Sequence, residues 1–182
     1  MTDFLHQIDN LFTEEECNKF INKFMDEYNN KNIDEIRDKD RVYDRYIFYD
    51  EELAKQLFEK IKSYIPKKLK KKYKRIKLNS CFRMSRYHKN MKFGIHKDGM
   101  NRDKENNISY ATLNIFMNKG FNGGKTIFYE DKFGKTINLS VEPEPGRGAF
   151  FYSQQYHCGE ELYDLCNTNG KFLLRTDLMV GN

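Results

Sequence analysis

The sequence predicts an α+β protein that is mainly β, with helices in the first third of the chain and antiparallel strands in the rest. Two observations support this fold class. Before position 66, apolar residues recur at three- and four-residue spacing, which is typical of amphipathic helices. From about position 78 onward, short aromatic and aliphatic runs are separated by Gly, Asn and Pro clusters. This rhythm is typical of a β-sandwich or barrel.

The first helix is predicted to begin after Thr13. Thr13 and Glu16 have the spacing of a capping box, and an apolar stripe follows at positions 17, 20, 21, 24 and 28. A second helix is predicted after Asp50, with Leu or Ile at 53, 57, 61 and 65 on one face and Pro66 beyond its end. A polar connection rich in Asn and Asp joins the two. We expect both helices to pack on the sheet.

Strand-like composition is found in the segments 81–87, 109–117, 125–130, 149–153 and 171–179. The 182 residues suit one ordinary domain, and the aromatic share of 15% provides large side chains for its core. No repeat or low-complexity linker interrupts the chain. We therefore expect a single domain over 1–182, with 1–77 as a helical support region and 78–180 as the β core.

Composition argues against several classes of protein. No apolar run approaches the roughly 18 residues of a membrane span, and the first residues lack the basic start of a signal peptide. We therefore expect a cytoplasmic protein without membrane association. Four cysteines occur without a C-x-x-C pair, which predicts free thiols and not a zinc ribbon or a disulfide scaffold.

The segment 67–77 is strongly basic. The chain has a net charge of +5, and this segment alone holds eight Lys or Arg residues in eleven positions with no acidic residue. Such a run can bind phosphate backbones or acidic peptides. Only Tyr73 accompanies it as an aromatic platform. We interpret it as a solvated loop between helix and sheet, with nucleic-acid binding as the alternative that is not favoured.

Candidate metal ligands are few, because the chain has only four histidines. His96 and Asp98 are two positions apart, so on an extended strand end their side chains point to the same side. Alone, such a pair is more typical of a surface loop. His157 lies 61 residues downstream between two strand-like segments. Together they match a 2-His-1-carboxylate triad, which suits non-haem Fe(II) with positions open for a cosubstrate and dioxygen.

Three ordered blocks of residues surround these ligands. The first block comprises Arg83, Arg86, Tyr87, Asn90, Phe93, His96 and Asp98. The second block comprises Thr112, Phe116, Met117, Asn118, Phe121, Gly123, Gly124, Thr126 and Phe128. The third block comprises Val141, Pro143, Gly146, Phe151, His157, Gly159, Gly170, Lys171, Leu174, Arg175 and Asp177. In order and spacing, the blocks resemble the 2-oxoglutarate- and Fe(II)-dependent oxygenases, specifically the prolyl 4-hydroxylase-like branch.

The resemblance implies a double-stranded β-helix, a cupin-like jelly roll with N-terminal helices packed on its major sheet. It implies that His96, Asp98 and His157 are the catalytic iron ligands. The cosubstrates would be 2-oxoglutarate and dioxygen, with ascorbate as a further candidate cofactor. The implied activity is hydroxylation of a C–H bond, and the implied substrate is a prolyl residue in a peptide or protein.

The resemblance also implies a buried cation for the C5 carboxylate of 2-oxoglutarate, because a buried carboxylate needs a partner. Lys171 and Arg175 are four apart on the final strand and share one face. We favour Arg175, whose guanidinium can pair bidentately. Lys171 follows Gly170 at the expected exposed start of the strand, where it would be solvated. Both residues remain candidates.

Three further residues are candidate cosubstrate contacts. Thr112 and Asn114 alternate inward on an earlier strand and could hydrogen-bond the same carboxylate. Tyr87 resembles the tyrosine that borders the iron-side carboxylate, with a core aromatic as the alternative. Family members often carry Tyr where Phe116 stands, so one expected hydroxyl is missing. The charged loop 99–108 is predicted to border the mouth and to select the substrate.

Two other functions stay open at this point. Oxidation or demethylation of a nucleic-acid base is favoured by the basic segment 67–77, but the blocks match the prolyl hydroxylase branch better. A catalytically silent jelly-roll binding module is the second alternative. Intact residues at all three ligand positions argue against it.

Overall fold

The computed structural model describes residues 4–38, 41–166 and 168–182. The helices are Glu14–Asn29 (α1), Glu51–Ile61 (α2) and Lys67–Lys72 (α3), with a 3-10 turn at Lys62–Tyr64. The first seven strands are Leu5–Ile8 (β1), Asp34–Asp38 (β2), Arg41–Tyr49 (β3), Arg75–Leu78 (β4), Cys81–Tyr87 (β5), Phe93–His96 (β6) and Ile108–Phe116 (β7). The others are Asn122–Gly123 (β8), Thr126–Tyr129 (β9), Ile137–Val141 (β10), Gly148–Tyr152 (β11), Tyr156–Gly159 (β12), Leu162–Asp164 (β13) and Lys171–Gly181 (β14).

Two antiparallel sheets form the framework. The large sheet has the order β1-β11-β7-β14-β5-β3-β2, with β4 also paired to β14. The small sheet has the order β10-β9-β12-β6, and β8 pairs with β13. The last strand lies between β7 and β5, so neighbours in the sheet come from distant parts of the chain. This arrangement confirms the predicted class, a mainly β jelly roll with few helices.

Two apolar clusters hold the layers together. The first lies between the helices and the large sheet, where Phe24 of α1 packs edge-on against Phe172 of β14 at 5.4 Å between ring centroids. The second lies between the two sheets, where Phe128 of β9 contacts Phe151 of β11 at 4.8 Å. Buried aromatic rings contribute large apolar areas to each cluster. The large sheet is therefore covered on one side by helices and on the other by the small sheet.

The helix starts follow the capping signals. Thr13 Oγ1 accepts from the backbone N–H of Glu16 at 3.1 Å, and the Glu16 carboxylate accepts from the backbone N–H of Thr13 at 2.8 Å. Asp50 Oδ1 likewise accepts from the backbone N–H of Leu53 at 2.9 Å. Both predicted helices are confirmed. The second ends at Ile61, four residues before the end of its apolar pattern.

The connection between α1 and α2 differs from the prediction. In place of a purely polar link, it forms a hairpin of β2 and β3 that joins the large sheet through β5. Residues 43–49 are rich in aromatic residues, which favour strands. With β1 to β3 in the sheet, position 78 does not separate a helical region from a β region.

The basic segment 67–77 is not the solvated loop that we expected. Its first part is α3, from which Leu69 packs into the apolar cluster beneath the helices. Its last part belongs to β4, which pairs with β14 in the register Lys77 opposite Met179. One buried leucine and a ladder of backbone hydrogen bonds fix the segment, while most lysine side chains remain exposed.

The remaining expectations concern the strand bounds, the thiols, membrane-spanning helices and the first residues of the chain. The five predicted strands are found as β5, β7, β9, β11 and β14, each within two residues of the expected bounds. All four cysteines are free thiols, as predicted. Among the described residues, none of the helices has the length and apolarity to cross a membrane. The residues 1–3, on which the signal-peptide expectation partly depended, lie outside the described ranges.

Candidate active site

The structure brings the three predicted metal ligands together at one end of the jelly roll. His96 ends β6, Asp98 follows two residues later, and His157 lies on β12 directly opposite His96 in the strand register. The Nε2 atom of His96 lies 3.7 Å from Asp98 Oδ1, and that of His157 lies 3.9 Å from Asp98 Oδ2. All three ligand atoms lie within 4.8 Å of one another. One small cation can therefore contact all three side chains.

Both imidazole rings are oriented by backbone carbonyl groups. The Nδ1 atom of His96 donates to the carbonyl oxygen of Gly94 at 2.8 Å, and that of His157 donates to the carbonyl oxygen of Gln155 at 2.9 Å. A neutral imidazole has one donor and one acceptor nitrogen, so each Nε2 keeps a free lone pair. Metal-binding histidines are commonly oriented in this way. The donor set therefore fits a bound Fe(II) ion.

Asp98 is buried, with 4% exposure, and is held by two donors. Thr112 Oγ1 donates to Oδ2 at 2.6 Å, and Arg175 Nη1 donates to Oδ1 at 2.8 Å. Burial by itself raises the pKa of Asp98. The interaction with the nearby His96, the charge of Arg175 and the hydrogen bond from Thr112 outweigh burial and lower this pKa well below its usual range. The side chain is thus an ionised carboxylate, as a metal ligand must be.

His157 is enclosed by apolar side chains. Its ring centroid lies 4.7 Å from that of Phe151 and 5.7 Å from that of Phe128. Burial lowers the pKa of His157 to about 4, although the charge of Asp98 acts in the opposite direction. At neutral pH the imidazole is therefore uncharged and can bind a metal.

Lys171 is not solvated, contrary to our expectation. It is 5% exposed, and its Nζ lies 5.5 Å from the ring centroid of Tyr87 and 5.3 Å from that of Phe116. The ammonium group donates to the carbonyl oxygen of Gly124. Burial lowers the pKa of Lys171 to about 8, with Glu160 acting in the opposite direction. The strand start is covered because β14 begins inside the barrel, opposite Tyr87 of β5.

Arg175 lies nearer to the metal ligands than Lys171 does. Its guanidinium donates to Asp98, as described above, and to Asp177 Oδ1 at 3.2 Å. Two carboxylates thus engage the group that we expected to bind the C5 carboxylate of the cosubstrate. Lys171 and Arg175 are four residues apart on β14, which corresponds to about 13 Å along the strand. Both side chains line one cavity of about 100 Å³ together with the three ligands.

The other predicted contacts divide into two groups. Asn114 and Tyr87 line the cavity, and Asn114 Oδ1 is buried without a hydrogen-bond partner among the described residues. Thr112 does not line it, and its hydroxyl donates to Asp98. Thr112 thus supports a predicted metal ligand, and its contact with the cosubstrate stays a prediction.

Sequence reasoning missed two cavity residues on β3. The rings of Tyr43 and Tyr87 are stacked, with their centroids 5.3 Å apart and an interplanar angle of 18°. Arg45 is two residues further along the strand, on the same face, and also lines the cavity. The sequence analysis predicts a polar connection for this segment. The alternation of Tyr43, Arg45 and Ile47 toward one face was the signal that could have identified them.

Comparisons with known proteins agree with this site. Residues 82–168, just under half of the chain, match the profile described as "2OG-Fe(II) oxygenase superfamily". This range contains His96, Asp98 and His157. No curated protein sequence matches the chain significantly.

Several solved structures share the fold. The viral collagen prolyl hydroxylase vCPH from Paramecium Bursaria Chlorella virus-1, in its 2OG complex, has a TM-score of 0.65 at 15% identity, covering 98% of this chain and 96% of that chain. A prolyl-4-hydroxylase from Pseudomonas putida has a TM-score of 0.67 at 14% identity, covering 98% and 92%. The non-heme alpha ketoglutarate dependent epimerase SnoN has a TM-score of 0.64 at 8% identity, covering 97% and 78%. At these identities the likeness shows the fold alone.

The profile match and the ligand geometry concern the same residues, and the surrounding fold is that of the prolyl 4-hydroxylases. The chain is therefore similar to the 2OG-Fe(II) oxygenase superfamily over residues 82–168, the range that contains the three candidate metal ligands.

Proposed function

We propose that the protein is a 2-oxoglutarate- and Fe(II)-dependent dioxygenase that hydroxylates a prolyl residue in a peptide or protein. The single observation that carries the proposal is the cavity lined by His96, Asp98 and His157 together with the buried cation Lys171. We also infer that the described chain acts as one catalytic domain, because β1 to β3 and β14 share one sheet.

The three ligands would hold the iron on one side and leave its remaining positions to cosubstrate and dioxygen. Bound iron would supply the activation of dioxygen, with 2-oxoglutarate as the electron source. The chain's own residues hold and orient the ligands: Thr112 and Arg175 fix Asp98, and backbone carbonyls fix both imidazoles. Phe128 and Phe151 shield His157 from water.

Lys171, in preference to Arg175, is our candidate for the C5 carboxylate of 2-oxoglutarate. Lys171 forms no ion pair within the described residues, whereas Arg175 pairs with Asp98 and Asp177. A buried ammonium group is stabilised when a carboxylate binds beside it. This assignment reverses the preference that the sequence alone suggested.

The substrate class is supported by the neighbouring structures, one of which is a prolyl hydroxylase from Trichoplax adhaerens in complex with a hypoxia inducible factor peptide fragment. SnoN shares the fold and is an epimerase, so fold alone does not define the reaction. Base oxidation is less favoured, because none of the side chains lining the iron cavity comes from 67–77.

Turnover with proline-containing peptides tests the proposal. The protein would be incubated with Fe(II), 2-oxoglutarate, ascorbate and dioxygen. Each hydroxylation should add one oxygen atom to the peptide and convert one 2-oxoglutarate to succinate and carbon dioxide. His157→Ala, shown to be folded by circular dichroism, is the inactive control.

Two outcomes would contradict the proposal at different levels. Absence of metal-dependent 2-oxoglutarate consumption would contradict the reaction class. A mass gain on nucleic-acid bases, without one on any peptide, would retain the reaction class and contradict the prolyl substrate.

A further inference from the structure

Part of the cavity-facing side of the large sheet is open to solvent. Alternate side chains of β3 and β5 share this face, where Arg45 is paired with Ser85 and Ile47 with Arg83. Near the iron ligands the face lines the cavity, but toward the end of β3 it is uncovered: Tyr49 is 76% exposed and Ile47 is 38% exposed. An open strip of sheet thus leads outward from the proposed iron site.

A second cavity, of about 440 Å³, continues this strip. Arg83 lines both cavities, and the second is bounded by Tyr49, by residues 79–81 and by the loop 101–105. Asp103 organises this loop, accepting hydrogen bonds from the backbone N–H and the Nδ2 of Asn107, both at 2.8 Å. These hydrogen bonds hold the loop in place as one wall of the second cavity. The two cavities adjoin at Arg83, and we call the region from Arg45 to residue 105 the outer groove.

Arg45 brings into this groove a charge that is paired with an exposed carboxylate, that of Asp34. Its Nε atom is buried and has no hydrogen-bond partner in the described part of the chain. Its Nη2 atom lies 3.4 Å from Oδ2 of Asp34, whose side chain is 67% exposed. An arginine stays protonated at any physiological pH, and an unsatisfied buried donor costs free energy. An anion beside Arg45 would remove that cost.

Arg83 and Arg175 differ from Arg45 in their ion-pair partners, which are buried carboxylates, although Arg175 Nε also lacks a hydrogen-bond partner among the described residues. Arg83 donates to Asp177 Oδ2 at 3.0 Å, and Arg175 pairs with both Asp177 and Asp98. Arg45 is also two strands away from β14, about 10 Å in the sheet, so Lys171 remains the nearer cation for the cosubstrate. The charge of Arg45 is therefore not needed to support the predicted metal ligands or to bind the cosubstrate.

On the basis of the function proposed above, we propose that Arg45 binds an acidic side chain of an extended peptide substrate, next to the residue presented to the iron. The planar fork of arginine matches a carboxylate, which it can bind through two parallel hydrogen bonds. Lys92 and Arg83 line the same cavity and would attract the same anion. A nucleic acid is less favoured, because the basic residues of the second cavity alternate with acidic ones: Lys77 pairs with Asp103 and Glu105, and Glu51 also lines this cavity. Phosphate binding uses rows of cations spaced along a backbone.

A binding experiment with matched peptides tests this proposal. Fluorescent peptides with proline flanked by Glu or by Gln would be titrated into the protein loaded with Mn(II) and 2-oxoglutarate. The Glu peptide should bind about 10- to 100-fold more tightly, as expected for a charge-assisted hydrogen bond. Arg45→Gln should abolish this preference, and Arg45→Lys should retain part of it.

Two variants serve as controls. Arg37 lies on β2, three residues from Asp34, and is an exposed arginine on the other face of the same hairpin. Arg37→Gln should keep the full preference. Asp34→Asn removes the ion pair that Arg45 makes among the described residues and should tighten binding of the Glu peptide by up to about fivefold.

Three results would overturn the proposal. The first is equal binding of the Glu and Gln peptides by the wild-type protein. The second is a raised KM for 2-oxoglutarate in Arg45→Gln, which would assign Arg45 to the cosubstrate. The third is Arg45-dependent binding of a single-stranded oligonucleotide in preference to the acidic peptide. Failure of the proposed oxygenase function is distinguishable, because it shows as absent 2-oxoglutarate consumption, which the binding assay does not require.

Discussion

Arg175 Nη1 lies 2.8 Å from Oδ1 of Asp98, so a basic residue of the last strand supports a proposed iron ligand. Thr112 donates to the second oxygen of the same carboxylate at 2.6 Å, and Asp177 holds the guanidinium from its other side. Because both carboxylate oxygens accept a hydrogen bond, the orientation of Asp98 toward the two imidazoles is fixed before any metal binds.

Arg175→Gln should therefore weaken metal binding about 10- to 100-fold, as loss of a supporting hydrogen bond to a ligand commonly does. A titration with Mn(II), monitored by electron paramagnetic resonance, measures the metal affinity. Arg83→Gln is the matched control, since Arg83 contacts Asp177 but has no recorded contact with Asp98. An unchanged metal affinity, combined with a raised KM for 2-oxoglutarate at saturating metal, would contradict this role and return Arg175 to the cosubstrate site.

The affinity for 2-oxoglutarate should depend on the charge of Lys171. Burial lowers the pKa of Lys171 to about 8, so the ammonium form is present below this pH and is lost above it. The Kd for 2-oxoglutarate should be constant at lower pH and then rise about tenfold per pH unit well above pH 8. Isothermal titration calorimetry over this range measures the profile.

Lys171→Arg is the control for that profile, because arginine does not lose its proton in this range and the rise should vanish. A flat profile for the wild-type protein would remove Lys171 from the carboxylate site.

The free energy of unfolding without cosubstrate should also depend on pH through Lys171. Since the folded pKa lies below the unfolded value of about 10.4, the unfolded chain binds more protons between the two, and stability should increase with pH in that window.

A buried ion pair on the far face of β5 should matter for stability and not for chemistry. Asp44 accepts from Arg86 Nε at 2.7 Å and from His88 Nε2 at 2.8 Å, and Asp44 and Arg86 are both buried. Asp44→Ala leaves the guanidinium uncompensated and should lower the free energy of unfolding by about 3–5 kcal/mol. Urea denaturation measures it, with the exposed Asp34→Ala expected to cost less than about 1 kcal/mol. Equal, small losses in both variants would contradict the prediction.

The exposed lysines of 67–77 should attract acidic substrates without taking part in the reaction. Lys71, Lys72 and Lys74 are exposed, whereas Lys70 Nζ donates to the carbonyl oxygen of Lys62 and is left unchanged. Replacing the three lysines with Gln should weaken capture of an acidic peptide at low salt. At physiological salt the difference should shrink, because the screening length is about 8 Å. Loss of 2-oxoglutarate turnover without substrate would show instead that the segment supports the active site.

The sequence predicted best the elements that local signals define. The helix start at Thr13 depends on two residues three apart in the sequence, so a local signal locates it. Strand β5 contains aromatic strand-forming residues and lies between polar turn residues, so it could be located in the same way. Strands β6 and β12 have four residues each, and they are stabilised by pairing with each other across the chain. Such pairing, with His96 opposite His157, has no local signal.

The site shows the same division. The residue types of His96, Asp98 and His157, together with the motif blocks around them, identified these residues as candidate ligands. The burial of Lys171 depends on the register that places Tyr87 over it, and the position of Arg45 depends on the pairing of β3 with β5. Alternation predicts which side chains of β3 share a face, but the register of each strand follows from contacts between distant segments, which composition does not encode.

The convergence of His96, Asp98 and His157 on one iron is tested most directly by anaerobic titration of Fe(II) into the protein with 2-oxoglutarate present. We expect a single tight site per chain, 2-oxoglutarate binding that depends on the metal, and loss of both in His157→Ala with an unchanged circular dichroism spectrum. His6→Ala, which removes a histidine of β1 outside the cavity, should bind as the wild type does. Wild-type affinity for Fe(II) in His157→Ala would contradict the assignment.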